Sequence, residues 1–305
     1  SYLYQFTTFH QDMHNEAYTY TRQTLRYPTP DFALAEAEAV PGGAHPGDAD
    51  IPGGTFDIGN PQDAPFVFDN EKWAHPITVA PFKMAKAQVS NAEFATFVDD
   101  GGYEQERFWD DVGWQWRCQG DIAHPIYWRP DGHGKWCLRR FDTVIDLPPD
   151  QAVIHVSWFE AQAYCRWAGR RLPTEAEWEF AATADGQGGK RAYPWGEEAP
   201  DATRANLDGR GLGVVDVGAK PAGDSVHGVR QLIGNVWEWT DTTFGPFPGF
   251  APDDYKEYSE PLFGTTKVLR GGAWPTRGRM IDSTYRNFYG PERRDVLAGF
   301  RTCAL

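Results

Sequence analysis

SWFEAQAYCRWAGRRLPTEAEWEFAA, residues 157–182, decides the fold class of this chain. Trp158, Ala161, Tyr164, Cys165 and Ala168 recur at helical spacing and give residues 157–169 one apolar face. Gly169 is the stop, because glycine enters the left-handed conformation that closes a helix without a Cβ penalty. A shorter helix follows at TEAEWEFAA (174–182), capped by Thr174, with Glu177 three residues on completing a capping box. SNAEFATFVDD, near 90–100, uses the same device with Ser90 and Glu93. From IPGGTFDIG (51–59) to the last residue, glycine and proline interrupt the chain often and the strand-like runs are short. That pattern indicates an α+β domain with much irregular structure.

Composition agrees. Aromatic residues make up 15% of the chain, with 13 Trp, 32 Gly and 23 Pro, against a moderate 41% hydrophobic residues, as in a loop-rich, aromatic-stapled globule. The 305 residues fit one large domain and an appendage. A formal charge of −14 argues against nucleic acid as a partner, since phosphate binding needs a basic footprint. Apolar runs fall far short of the ~20 residues that cross a bilayer, and SYLYQFTTFH has neither a basic nor an apolar leader region, so no membrane and a cytoplasmic location are expected. Cys118, Cys137, Cys165 and Cys303 include no C-x-x-C. Cys118 and Cys137 are near enough in sequence to pair; ordinary reduced thiols suit a cytosolic chain better.

Residues 1–27 read as a helix, with Tyr4, Phe9, Met13, Ala17 and Tyr20 near helical spacing until Pro28 and Pro30 end it. It is too short and too aromatic to stand alone, and is expected to be the last piece of a helical bundle whose earlier helices precede Ser1. Residues 31–50, rich in Ala, Glu, Pro and Gly, read as a connector. The organisation is therefore 1–30 helical piece, 31–50 linker and 51–305 α+β domain. His10 and His14 sit one turn apart on the same helix face, the spacing by which a helix chelates one metal ion. Chance spacing on an exposed face is the alternative. Asp12 and Glu16 lie on other faces, leaving neutral nitrogen ligands and open positions, which suits iron(II) activating oxygen.

GRRLPTEAEWEFAA (169–182), YPWGEE (193–198), GNVWEWT (234–240), VLRGGAW (268–274) and AGFRTC (298–303) form an ordered set that resembles the formylglycine-generating-enzyme domain over roughly residues 50–305. The resemblance implies a C-type-lectin-like fold in which Trp237, Trp239 and Arg270 serve the core and buried polar networks. Formylglycine-generating enzymes bind copper through two cysteines near the C-terminus; only Cys303 stands here, so that activity is not expected. FHQDMHNEA (9–17) ahead of such a domain resembles the ergothioneine-type sulfoxide synthases and their relative, selenoneine synthase, in which a DinB-like four-helix bundle precedes the domain.

This second resemblance implies a mononuclear non-haem iron(II) enzyme. His10 and His14 would be two of three histidine ligands, the third lying before Ser1; the remaining histidines would be ordinary. The implied reaction couples a sulfur or selenium donor to the imidazole carbon of hercynine (N-trimethylhistidine), using O2. In DDYKEYS (253–259), Tyr255 matches the active-site tyrosine better than Tyr258, and a phenol can deliver a proton. In RNFYGPERR (286–294), Asn287 would bond the hercynine carboxylate and Phe288 would face its trimethylammonium. Tyr289 replaces the acid of synthases that take γ-glutamylcysteine, while Arg293 is left to hold a carboxylate, phosphate-like or hydroxyl-rich group. A cysteine or a selenosugar donor is therefore expected, with a small preference for the selenosugar stacked on Tyr289, Trp114 and Trp116. The resemblance further implies structural calcium at Asn206, Asp216 and Glu238; polar loops satisfied without an ion are the alternative. From another functional class, the domain would be a lectin-like binding module with no redox role.

Overall fold

The computed structural model describes residues 2–30, 41–185 and 189–305. Its helices are α1 (Tyr2–Thr24), α2 (Asn91–Asp99), α3 (Asp111–Gln119), α4 (Trp158–Ala168) and α5 (Glu175–Thr183). The caps read from sequence are present. Ser90 with Glu93 and Thr174 with Glu177 close capping boxes, and Gly169 ends α4 in the left-handed conformation, at φ 64°. A third box, Ser157 with Glu160, starts α4. Helix α3, capped by Asp110, was not expected from the sequence, because its apolar residues follow no single face and only Gly113 is buried.

The short strands form two four-stranded sheets, a two-stranded ribbon and a three-stranded sheet. One four-stranded sheet is antiparallel and joins Asp48–Ile51, Phe82–Ala85, Cys303–Ala304 and Arg170–Arg171, tying the start of the domain to its end. Its first strand begins at Asp48, inside the stretch assigned to the linker; residues 31–40 of that stretch lie outside the described residues. The other sheet runs Asn287–Tyr289, Lys267–Arg270, Trp237–Thr243, Ala298–Gly299, the last pairing parallel. This mixed α+β arrangement fits the C-type-lectin-like class.

Within a continuous aromatic and aliphatic core, the interior also carries ion networks. Glu238, fully buried, receives Arg301 at 2.6 Å on each carboxylate oxygen, the Trp178 indole N–H at 2.8 Å and the Gln88 amide at 3.0 Å. Arg270 reaches Glu175 (2.9 Å), Glu179 (2.5 Å) and the Ser283 carbonyl (2.6 Å), and Arg286 is bidentate with Glu175. Each charge is balanced and hydrogen-bonded, which is what makes a buried ion tolerable.

Helix α1 docks differently from its apolar reading. Tyr4 is 79% exposed, because residue 4 lies far around the helix from Phe9, Met13, Ala17 and Tyr20. The buried positions are Phe6 and the polar Asp12, Glu16 and Gln23. Gln23 donates to the Arg139 carbonyl and accepts from the Phe141 N–H, while Arg139 and Asp12's partner Arg279 grip the helix from the domain side.

Arg301→Met leaves the Glu238 carboxylate buried with only its two neutral donors. A loss of about 3–5 kcal/mol is expected in urea unfolding; a loss below about 1 kcal/mol would contradict the network's role.

Candidate metal and substrate site

Helix α1 lays its histidines beside the sheet that ends in Asn287–Tyr289, and a cavity of about 230 Å³ opens between them. Its walls hold His10, His14 and Glu16 from α1, Trp237 and the Asn287–Phe288–Tyr289 strand from the sheet, and Tyr258 and Tyr285 from loops. The imidazoles of His10 and His14 lie 4.6 Å apart between centroids, with planes at 70°. Burial, and secondarily the proximity of His14, lowers the His10 pKa, which favours the neutral, ligand-competent imidazole. Two neutral nitrogens on one turn fit a divalent metal that keeps open positions. Among the described residues, no third His, Cys, Asp or Glu joins them as a metal-binding group.

Glu16 is 5% exposed and accepts the Trp237 indole N–H at 2.6 Å and the Thr276 hydroxyl at 2.5 Å. Burial raises its pKa, against the pull of those two donors. Trp237, expected to serve the core and buried polar networks, joins such a network through Glu16, and it also lines the cavity and holds the histidine helix. The indole packs 5.6 Å from Tyr285, whose hydroxyl is 3.4 Å from that of Tyr258. Burial raises both phenols well above the ordinary tyrosine value, so both are neutral donors.

The named substrate residues gather here with one exception. Asn287, Phe288 and Tyr289 line the cavity; the Phe288 N–H donates to Asn287 Oδ1 at 2.9 Å, and the Phe288 ring stacks on Phe244 at 4.2 Å. Arg293 does not line it. It pairs with Asp295 at 2.6 and 2.8 Å and lies over the rings of Tyr289 (5.3 Å) and Tyr20 (5.8 Å). Tyr255 lies beside the cavity, 39% exposed, its ring 5.7 Å from that of His10. Trp114 and Trp116 do not line it: both stand on α3, where Trp116 packs against Phe159.

The bonding removes Glu238 from the residues expected to hold calcium. Glu238 has no oxygen free of its Arg301, Trp178 and Gln88 partners, and a cation there would face the Arg301 guanidinium. Asn206 donates to the Gly213 carbonyl and to Asn235, and Asp216 accepts the Gly42 and Gly43 N–H groups. All four cysteines are free; Cys303 is buried in the sheet opposite Met84 and Arg171, and burial pushes its thiol up to about 12.

Residues 33–304 match the model of the sulfatase-modifying factor enzyme 1-like domain. The chain belongs to this family. Among relatives of the domain, proteins named hercynine oxygenase from Mycolicibacterium thermoresistibile and Mycobacterium tuberculosis are each 46% identical, over 78% of this chain and 54% and 56% of theirs. The chain thus spans a little over half the length of these relatives. The formylglycine-generating enzyme of Streptomyces coelicolor is 33% identical over 81% of this chain and 84% of its own. In fold, the domain resembles PvdO of Pseudomonas aeruginosa, with a TM-score of 0.59 and 23% identity over 83% of this chain and 92% of that one. No described helix is long and apolar enough to cross a membrane.

Glu16→Ala strands the Trp237 N–H and the Thr276 hydroxyl without their acceptor. Amide hydrogen exchange across residues 9–20 is expected to lose protection worth about 2–4 kcal/mol, with less loss for Glu16→Gln. Unchanged protection in Glu16→Ala would mean that aromatic packing alone holds the helix.

Proposed function

We propose that this chain carries the substrate-binding part and two metal ligands of an Fe(II)- and O2-dependent oxidoreductase acting on hercynine. The observation that carries the proposal is the meeting of His10 and His14 with an aromatic cavity whose described lining contains no lysine or arginine. Such a cavity suits a fixed trimethylammonium, which is attracted to ring faces and needs no counter-ion when several surround it. The mycobacterial relatives named hercynine oxygenase support the same substrate. A third imidazole, from a DinB-like bundle preceding Ser1, would complete the ligand set.

Bound there, the iron would supply the oxygen-activating chemistry. The chain's own residues bind, orient and move protons. The Asn287 amide, its oxygen already held by the Phe288 N–H, offers Nδ2 to the hercynine carboxylate. Phe288, Tyr258 and Trp237 surround the ammonium. Tyr255, against the His10 ring, is the proton donor. In the overall balance, a ring C–H and a donor S–H or Se–H give way to a C–S or C–Se bond; O2 accepts the electrons, leaving one oxygen on the sulfur or selenium and one in water.

The second substrate is read from Arg293 and Tyr289. The pairing with Asp295 neutralises the Arg293 guanidinium beside Tyr289, and Tyr289 offers a neutral hydroxyl in place of a charge. Both favour an uncharged, hydroxyl-rich donor such as a selenosugar over a dipeptide with carboxylates and an ammonium. Full-length protein loaded anaerobically with Fe(II) and given hercynine, O2 and one donor at a time should form the coupled mass most rapidly with the selenosugar. Faster coupling with γ-glutamylcysteine or cysteine would overturn the donor assignment, and no coupling with any donor would favour a binding module.

A further inference from the structure

Tyr255 and Tyr258 stand on a segment, residues 253–259, that belongs to no strand and contains no α-helix, yet both of its ends are fastened to one short turn, Asp69–Lys72. At the first end, the Asp253 carboxylate receives the Lys72 ammonium at 2.6 and 2.8 Å and the Tyr2 hydroxyl at 2.5 Å. The Lys72 and Asp253 side chains are only 18% and 22% exposed, so water screens the pair less than an ordinary surface salt bridge. At the other end, Ser259, fully buried, donates to Asp69 at 2.5 Å and accepts from the Asn70 amide at 3.0 Å.

Between the clamps, the Tyr255 ring is placed by contacts with Phe6 (5.5 Å) and His10 (5.7 Å), while Tyr258 stacks on Phe68 (5.2 Å). Asp253 is therefore a three-way joint between the histidine helix, through Tyr2, the 69–72 turn, through Lys72, and the strap that carries Tyr255.

We propose that Asp253 is a positioning residue: its ion pair with Lys72, joined by Tyr2, fixes the strap so that Tyr255 meets the substrate beside His10. The kinetic consequence rests on the oxygenase reading above; the clamp rests on geometry alone. Asp253 and Lys72 line no wall of the cavity, so their loss acts through the strap that carries Tyr255 and Tyr258.

The test uses the full-length protein with Asp253→Asn, the charge reversals Asp253→Lys and Lys72→Asp, and the double reversal. Lys256, exposed within the strap, is a built-in trypsin site whose cleavage is followed by mass. Each single variant should be cut there at least about tenfold faster than wild type, and the double reversal should restore slow cleavage. With hercynine and the preferred donor, the single variants should lose about tenfold or more in kcat through Tyr255, with a smaller rise in KM for hercynine through Tyr258 and unchanged iron content, and the double reversal should recover most of it. Cleavage at the wild-type rate in the single variants overturns the clamp whatever the reaction proves to be. A loosened strap with undiminished kcat overturns the positioning role, and absence of turnover in the wild type counts against the oxygenase reading while the trypsin result still decides the clamp.

Discussion

Two hydrogen bonds accepted by the buried Glu16 carboxyl hold the histidine helix against the sheet that builds the rest of the cavity. Everything functional in the chain depends on that joint. His10 and His14 belong to α1, whereas Trp237, Asn287, Phe288 and Tyr289 belong to the domain, and more than two hundred residues separate the groups. An apolar stripe would let the helix slide or rotate at little cost, because dispersion contacts are non-directional. Glu16, with Asp12 on Arg279 and Gln23 on the Arg139–Phe141 backbone, gives the helix a defined rotation and register.

The domain meets the same need with the same means. Its strands are too short for ladders to fix their relative positions, and buried pairs such as Glu238 with Arg301 and Glu175 with Arg270 and Arg286 cross between elements instead. These pairs position Trp237 next to Glu238, and Asn287 next to Arg286, so the cavity wall is one residue from the network on both strands. Rigidity of this kind suits a site that must hold a cationic substrate between ring faces, where affinity falls quickly with misplacement.

Much of this was legible in the sequence, for identifiable reasons. Capping boxes and a glycine stop are local chemistry, and Ser90, Thr174 and Gly169 behave as their neighbours dictate. The i, i+4 spacing of His10 and His14 is equally local, and the segment 287–289 carried its own signal. Glu16, Trp237 and Tyr285 were missed as cavity residues, because their roles arise from contacts across the fold that no spacing records, and Tyr258, ranked behind Tyr255 in the sequence, is the one of the two that lines the cavity. Asp12 and Glu16 on faces away from the histidines were a signal in hindsight: two acids in an otherwise aromatic helix mark a polar seam. Trp114 and Trp116 misled because aromatic residues near a loop resemble a stacking platform, when α3 in fact turns Trp116 toward Phe159. Glu238 drops out as a calcium ligand for a related reason, since an oxygen-bearing residue in sequence says nothing of the arginine, indole and amide donors that occupy it.

Whether His10 and His14 hold iron beside a bound hercynine decides the function of this cavity. Full-length protein purified without oxygen should bind a single Fe(II) per chain, and its nitric oxide adduct should change its electron paramagnetic resonance signal when hercynine is added. His10→Ala and His14→Ala should each lose the iron and the signal while the fold persists. Retention of the iron in both variants, or a nitrosyl signal indifferent to hercynine, would contradict the assignment of this cavity as the active site.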